Sequence, residues 1–191
     1  IAVSPTLNGI FFEDINHAAD GGLYAELIRN RSFEDNVNNP EEWSVFQNAG
    51  TTASMSLVTK NLLNTKQGHA LEVKLNATPK SEAGVVNSGY WGINAVQGRT
   101  YSLTFWAKGS YKGSLKAVLM SADGSVRYAE AAVTGKISGK WQKFTAQLTS
   151  KGNDPKACFA LLGDAKGTIC IDVVSLFPPT FMNRPNGCRP E

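Results

Sequence analysis

The chain has 191 residues, of which 42% are hydrophobic and 18% are charged. This composition excludes wholesale disorder, which requires few apolar residues, and a long coiled coil, which requires many charged ones. The net charge of +3 is too small to indicate a nucleic-acid partner. No uncharged apolar run approaches the roughly 20 residues that cross a membrane, so we expect no membrane partner.

The first predicted element is a short strand over residues 7–12, where an apolar run suits a strand buried on both faces. Glu13 stands at its C-terminal end. A helix-like turn is predicted next from three apolar residues at helical spacing, Leu23, Leu27 and Ile28. Strand, polar loop and helix in this order are typical of the start of a βα unit. One such strand needs parallel neighbours, so we expect it to dock into a sheet made by another segment.

The region from residue 37 to residue 176 has the pattern of an all-β domain. Strands are predicted at 42–46, 69–75, 89–95, 100–107, 114–120, 127–133, 141–148, 156–162 and 168–176. Eight or nine short strands separated by Gly-rich turns indicate an antiparallel β-sandwich of jelly-roll type. Residues 177–191 contain four prolines, which cannot donate ladder hydrogen bonds, so this stretch is expected to leave the sheets.

The aromatic residues raise the question of sugar binding. Trp106 and Trp141 stand among apolar neighbours in alternating strands, and we expect both in the core. Tyr90 and Trp91 lie beside glycines and are candidates for contact with a sugar ring. Asp172 could belong to a structural calcium site, but one acid is thin support for an ion that takes six to eight oxygens.

Three cysteines are present, Cys158, Cys170 and Cys188. Cys158 and Cys170 flank a turn and could face each other across a hairpin, either as a disulfide or as two buried thiols. No zinc-ligand spacing occurs, so we expect no metal site and no cofactor. Two N-glycosylation sequons occur, at Asn30 and Asn76, of which Asn76 is favoured because it follows a strand-like run. The opening residues have no leader pattern, as in a processed, secreted protein.

Longer strings carry a family resemblance. GIFFEDINHAADGGLYAELIRNRSFE resembles the start of the catalytic domain of family 51 glycoside hydrolases of fungal type, which are α-L-arabinofuranosidases. FPPTFMNRPNGCRPE resembles the return to that domain. Between them, TYSLTFWAKG, GKWQKFTAQL and IDVVSLFPP are similar to a carbohydrate-binding module of the family 4 kind. The resemblance spans essentially the whole chain.

The resemblance implies a jelly-roll β-sandwich inserted after the first strand–helix unit of a (β/α)8 barrel that another chain or segment completes. Residues 1–36 would be the barrel unit, 37–176 the sandwich and 177–191 the return segment. The family implies a retaining mechanism with an acid/base and a nucleophile glutamate. Both are expected outside this chain, on a second polypeptide. Glu13 matches a glutamate that binds arabinose hydroxyls.

The predicted function is therefore part of a secreted, exo-acting α-L-arabinofuranosidase that removes terminal arabinofuranosyl groups from arabinoxylan or arabinan. The alternatives are a non-catalytic carbohydrate-binding module and a purely structural sandwich. An isolated binding module would supply no parallel neighbours for the strand of the opening βα fragment. The fragment therefore favours the interpretation as part of an enzyme. Sugar binding by the sandwich alone would separate the two alternatives.

Overall fold

A computed structural model of the chain describes residue 6, residues 13–185 and residues 187–190. The strand predicted over residues 7–12 lies outside the described residues. The described part contains β1 (Trp43–Gln47), β2 (Thr52–Val58), β3 (Ala70–Asn76), β4 (Ala83–Asn87), β5 (Ile93–Ala95), β6 (Thr100–Gly109), β7 (Leu115–Met120), β8 (Arg127–Val133), β9 (Gln142–Thr149), β10 (Asp154–Gly163) and β11 (Gly167–Phe177). A 3-10 turn, Phe181–Asn183, follows.

The strands form two antiparallel sheets. One runs β1-β4-β10-β7-β8, with β5 also paired to β10, and the other runs β2-β3-β11-β6-β9. Sequence neighbours are often in different sheets, as in a jelly roll. The predicted β-sandwich is confirmed. The strands β2 and β4 were missed, and the run predicted at 89–95 is a turn followed by the three residues of β5.

The core lies between the sheets and follows from strand alternation. On β6, every second side chain points inward and is buried: Tyr101, Leu103, Phe105 and Ala107. Phe105 stacks on Phe144 of β9, with 5.4 Å between ring centroids. Removing these large apolar side chains from water supplies most of the driving force for folding, about 1.5–3 kcal/mol for each one fully buried.

The same alternation overturns the expectation that Trp106 and Trp141 are core residues. Trp106 lies between two inward residues of β6 and therefore points away from the core, where it is half-buried. Trp141 precedes β9, and its Nε1 donates to the main-chain oxygen of Asn61 at 3.0 Å. Apolar neighbours in sequence indicated a core position, but the phase of the strand decides which face a side chain occupies.

A β-bulge changes that phase within β11. Its pairing with β6 shifts between Asp172 and Ser175, and Val173 has a positive φ of 46°. Before the bulge, Ile169 and Ile171 point into the core, and after it Val174 and Leu176 do. The bulge thus puts one extra residue into the strand and keeps apolar side chains inside on both sides of it.

The N-terminal segment, residues 13–36, contains no helix in the described residues. The helix predicted from Leu23, Leu27 and Ile28 is wrong, because Leu23 lies in a turn, residues 25–28 form no regular element, and Leu27 N donates to Leu176 O of β11 at 3.0 Å. Leu27, Ile28 and Phe33 instead belong to the sandwich core. This part of the segment is therefore integral to the sandwich.

The return segment, residues 177–190, runs beside the N-terminal segment. Tyr24 forms an antiparallel bridge with Cys188, and Arg189 N donates to Leu23 O at 2.9 Å. Arg189 Nη2 also donates to Gly21 O at 2.7 Å. Among the described residues, no helix is long and apolar enough to cross a membrane.

The expectation that Cys158 and Cys170 face each other is wrong. Their strands β10 and β11 lie in different sheets. Cys158 alternates with the inward residue Phe159, and Cys170 lies between the inward residues Ile169 and Ile171. The two thiols therefore point from opposite outer faces of the sandwich. All three cysteines are free thiols, Cys188 being exposed.

Candidate functional site

A polar cleft of about 380 Å³ lies between the N-terminal segment and the turn after β4. Its walls carry three acids, two arginines, two tyrosines and a histidine: Asp20, Glu26, Asp35, Arg29, Arg31, Tyr24, Tyr90 and His17. Carboxylates and guanidinium groups beside an aromatic ring are the groups with which proteins bind a hydroxylated ligand.

The turn over residues 88–92 is held by Asn87, which is fully buried at the end of β4. Its Oδ1 accepts from Gly89 N at 3.0 Å and from Arg29 N at 3.3 Å. Its Nδ2 donates to Arg29 O at 2.9 Å. One side chain thus satisfies backbone groups of both walls of the cleft and fixes the turn against the N-terminal segment.

An aromatic cluster stands on this turn. The rings of Tyr90 and Trp91 have centroids 6.2 Å apart, and His17 of the N-terminal segment lies 5.2 Å from Tyr90 and 5.9 Å from Trp91. Trp91 is 54% exposed, the highest value of the large aromatic rings among the described residues. The structure therefore brings together two predicted sugar-contact residues and the loop that follows Glu13.

Gly21 makes room for the cluster. Its φ is +83°, and a Cβ built there would lie 2.4 Å from Cγ of Tyr90. A side chain at this position would push into the face of the ring while holding an unfavourable backbone conformation. The absence of a side chain at residue 21 thus allows Tyr90 to pack against the chain.

Glu26 is a structural residue rather than a reactive one. Its Oε1 accepts from the main-chain N of Leu27, Ile28 and Leu176, and its Oε2 accepts from Ser175 Oγ at 2.6 Å. Arg31 Nη1 lies 3.3 Å from Oε2. Burial raises the pKa of Glu26 although these donors favour the carboxylate. Both oxygens are engaged, so Glu26 joins the N-terminal segment to β11.

The remaining charges are closer to solvent. Arg29 pairs with Glu42 at 2.9 Å, and its Nε is buried without a hydrogen-bond partner. Asp20 and Asp35 are exposed. Burial first, then the nearby charges of Asp20, Glu26 and Asp35, raise the pKa of Tyr90 to about 12. The phenol is therefore neutral at physiological pH and can donate or accept a hydrogen bond.

The other predicted site residues lie elsewhere. Glu13 is exposed and is not part of the cleft wall. Asn76 is exposed at the end of β3. Asn30 is only 6% exposed, and its Nδ2 donates to Glu41 O at 3.0 Å. The prediction of a glycan on Asn30 is wrong for the folded chain, because the acceptor nitrogen is buried and already bonded.

Sequence reasoning missed Asn87 and Arg29. The signal available for Asn87 was an amide residue between a β-branched run and a Gly-containing turn. Arg29 carried no signal, because its charge looked like one more surface base. Within residues 13–185 and 187–190, no group of three His, Cys, Asp or Glu side chains is arranged to hold a metal ion. The cleft offers hydrogen-bonding groups and an aromatic face to a ligand.

Comparison with known proteins gives a match to a domain family and relatives that align with nearly the whole of this chain. Residues 25–166 match the family described as "Carbohydrate binding domain". The chain is 34% identical to alpha-L-arabinofuranosidase 1 of Arabidopsis thaliana, with 99% of the chain and 32% of the relative covered. It is 32% identical to an extracellular exo-alpha-L-arabinofuranosidase of Streptomyces chartreusis, with 100% and 22% covered.

The fold comparison agrees. The arabinose-bound structure of the MgGH51 α-L-arabinofuranosidase superposes with a TM-score of 0.83 at 30% identity, over 93% of this chain and 30% of that one. The chain therefore spans a third or less of the length of the relatives it matches. The resemblance found in the sequence strings is confirmed along nearly the whole chain.

Proposed function

The chain belongs to the carbohydrate-binding domain family, and from this premise we propose that it forms part of a retaining, exo-acting α-L-arabinofuranosidase. The observation that carries the proposal is similarity to arabinofuranosidases over 99–100% of the chain. A match confined to the sandwich would have suited a free binding module instead. The substrate class we propose is arabinoxylan or arabinan, from which terminal arabinofuranosyl groups are removed.

We place both catalytic glutamates outside this chain, on the remainder of a (β/α)8 barrel. The cleft supports this division. Glu26 is the most buried of its carboxylates and is fully engaged in hydrogen bonds. The partner is therefore the polypeptide that carries the rest of the barrel. In the proposed division, residues 1–36 begin the barrel, 37–176 form the sandwich and 177–191 return to the barrel, and the end of the first part also packs into the sandwich core through Leu27, Ile28 and Phe33. The name of the Streptomyces relative supports an extracellular location.

Within that enzyme, Glu13 is proposed to bind arabinose hydroxyls. Its carboxylate is exposed at the start of the described N-terminal segment, so it is available to a ligand. An ionised carboxylate can accept two hydroxyl protons and hold the sugar ring in position for attack. The orientation of one ring is worth several kcal/mol in a displacement of this kind.

The test is Glu13→Gln in the intact enzyme, assayed on an aryl α-L-arabinofuranoside. We expect kcat/KM to fall at least tenfold, or about 1.4 kcal/mol of transition-state binding. Glu41→Gln is the matched control, since Glu41 is an exposed glutamate of the same region and should keep full activity. Equal activity of Glu13→Gln and wild type would remove Glu13 from the site.

A purely structural sandwich is the second candidate, and the outer face of the six-stranded sheet favours it over sugar binding on that sheet. The six-stranded sheet covers its outer face with a small apolar cluster, Val118, Met120, Ala160 and Leu162, each at most 1% exposed. Beside it, Lys116 and Arg127 each pair with both Glu82 and Glu130. On this face the apolar cluster offers no polar groups to a sugar, and the charged side chains beside it are paired with one another.

The Tyr90–Trp91 turn is where we propose any sugar contact. Affinity electrophoresis on soluble arabinoxylan with Trp91→Ala tests this directly. Loss of retardation in Trp91→Ala, but not in Trp106→Ala, would support a sugar contact at the turn. If the wild-type protein migrates equally with and without arabinoxylan, the sandwich does not bind this polysaccharide and its role is structural.

A further inference from the structure

A loop over residues 59–69 lies on the outward face of the five-stranded sheet, and we call it the covering loop. Its first half is held by the main-chain oxygen of Asn61, which accepts from Lys108 Nζ at 2.5 Å and from Trp141 Nε1 at 3.0 Å. Lys108 Nζ also lies 5.1 Å above the Trp141 ring. These contacts fix the first half of the loop on the sheet.

The second half of the loop is held by two carboxyl groups. Glu34 Oε1 accepts from Gly68 N at 2.8 Å and from His69 N at 3.0 Å, and Glu34 Oε2 lies 3.0 Å from His69 Nδ1. Asp172 Oδ1 accepts from Gln67 Nε2 at 3.3 Å and from Val173 N at 2.7 Å. The bulge in β11 positions the Asp172 side chain under the loop.

Asp172 is unusual among the acids of the molecule. It is 0% exposed, and its Oδ2 has no hydrogen-bond partner. An ionised carboxylate buried in this way loses its hydration with little compensation. The protonated form is therefore favoured while the loop is closed, and opening of the loop would return the carboxyl group to water.

We propose that the covering loop is a pH-sensitive strap, in which the proton on Asp172 holds residues 65–69 against the sheet and loss of that proton loosens them. The titratable groups on the elements around Asp172 include Glu34, Arg31, Lys60, Lys66, His69, Glu72, Lys74, Lys108 and Cys170. Glu34 is the one whose charge acts on Asp172 in the same direction as burial. A second negative charge beside Glu34 would add repulsion at the point where the loop is held.

The direction of the effect follows from linkage. Burial, with a smaller contribution from Glu34, raises the pKa of Asp172 to about 7 from the usual 3.8. In the open loop the carboxyl group would titrate near its usual value. Closure is therefore strongest below pH 4, weakens by up to tenfold for each unit between about pH 4 and pH 7, and changes little above pH 7.

The experiment is amide hydrogen exchange by mass spectrometry on the intact protein at pH 5, 6, 7 and 8, corrected for intrinsic exchange rates. We expect the protection of residues 65–69 to fall at least tenfold between pH 5 and pH 7 and to level off above pH 7. In Asp172→Asn most of this fall should disappear. Asp123→Asn is the control, since it removes a carboxyl group from an exposed turn of the other sheet and should behave as wild type.

Two further measurements keep the proposal testable if Asp172→Asn does not fold. Gln67→Ala should show low protection of the loop at every pH, because the bond to Asp172 is gone. In selectively ¹³C-labelled wild-type protein, the Asp172 carboxyl resonance should titrate with a midpoint near pH 7. A midpoint near pH 4, or a loop protection that is constant from pH 5 to pH 7, would overturn the proposal.

Discussion

Single residues set the geometry of the cleft, and Gly21 and Asn87 do so without touching solvent. Asn87 uses both ends of its amide to join Arg29 to the turn that carries Tyr90. Gly21 lies under the Tyr90 ring. Sequence alone identified Tyr90 and Trp91 because glycines isolate them. The sequence could not identify Asn87, because an asparagine at the end of a strand gives the same pattern whether its side chain is buried or exposed.

Gly21 can be tested against a glycine with the same backbone but open space. Gly98 has a φ of +80° and no atom within 4 Å of a built Cβ. We expect Gly98→Ala to lower the free energy of unfolding by about 1 kcal/mol, from the left-handed backbone alone. Gly21→Ala should cost about 1–3 kcal/mol more, because the methyl group also overlaps the ring.

Urea unfolding followed by tryptophan fluorescence measures both glycine variants. Near-ultraviolet circular dichroism of the folded protein should change for Gly21→Ala and not for Gly98→Ala, since only the former displaces aromatic rings. Equal losses of stability in the two variants would show that the Tyr90 ring moves aside at little cost.

At the scale of elements, most strands were predictable as apolar-rich runs bounded by turns, and strict alternation did not decide which ones were found. The strand β8 was predicted with its observed bounds, Arg127–Val133. The strand β2 was missed although Ala53, Met55 and Leu57 alternate with polar residues and pack against the core. The bulge at Val173 was not predictable, since neither glycine nor proline marks it. Tertiary hydrogen bonds to β11 overrode the helical spacing of Leu23, Leu27 and Ile28.

Glu26 carries the prediction at this scale. Glu26→Ala removes the acceptor of three main-chain N–H groups and of Ser175, leaving buried donors without partners. We expect the free energy of unfolding to fall by about 3 kcal/mol or more. Glu26→Gln retains one acceptor oxygen and should lose less.

The control for Glu26 is Glu41→Ala, an exposed glutamate whose loss should change stability by about 0.5 kcal/mol or less. Chemical denaturation of the three variants gives the comparison. A Glu26→Ala protein as stable as the control would mean that water replaces the carboxylate and that the N-terminal segment is joined to β11 mainly by apolar packing.

For the whole molecule, composition and turn spacing were enough to predict the sandwich, and the long strings at either end were enough to identify its relatives. The path of the N-terminal segment was not predictable, because the segment takes its shape from β11, which lies about 150 residues further along the chain. The exposure of the two glycosylation sequons was not predictable either. Asn76 is exposed and Asn30 is buried, although the two sequons look equivalent in sequence.

Glycan mapping tests this difference. When the protein is secreted from a eukaryotic host, we expect a glycan on Asn76 and an unmodified Asn30. Enzymatic deglycosylation in heavy-oxygen water, followed by peptide mass spectrometry, should mark Asn76 as converted to aspartate. Asn76→Gln should abolish the mass shift, whereas a shift that persists in this variant would assign the glycan to Asn30.

The pairing of Tyr24 with Cys188 also has a consequence for chain entropy. The two bridged residues are separated by 164 positions in sequence, yet the folded sandwich brings them together. Closing a flexible loop of that length carries a length-dependent cost of about 4.5 kcal/mol. Once the sandwich has folded, a polypeptide in which it is inserted no longer bears that cost. The two chain segments that flank the sandwich are then held together as if by a short, stiff turn. We therefore expect the sandwich to fold before the polypeptide that contains it.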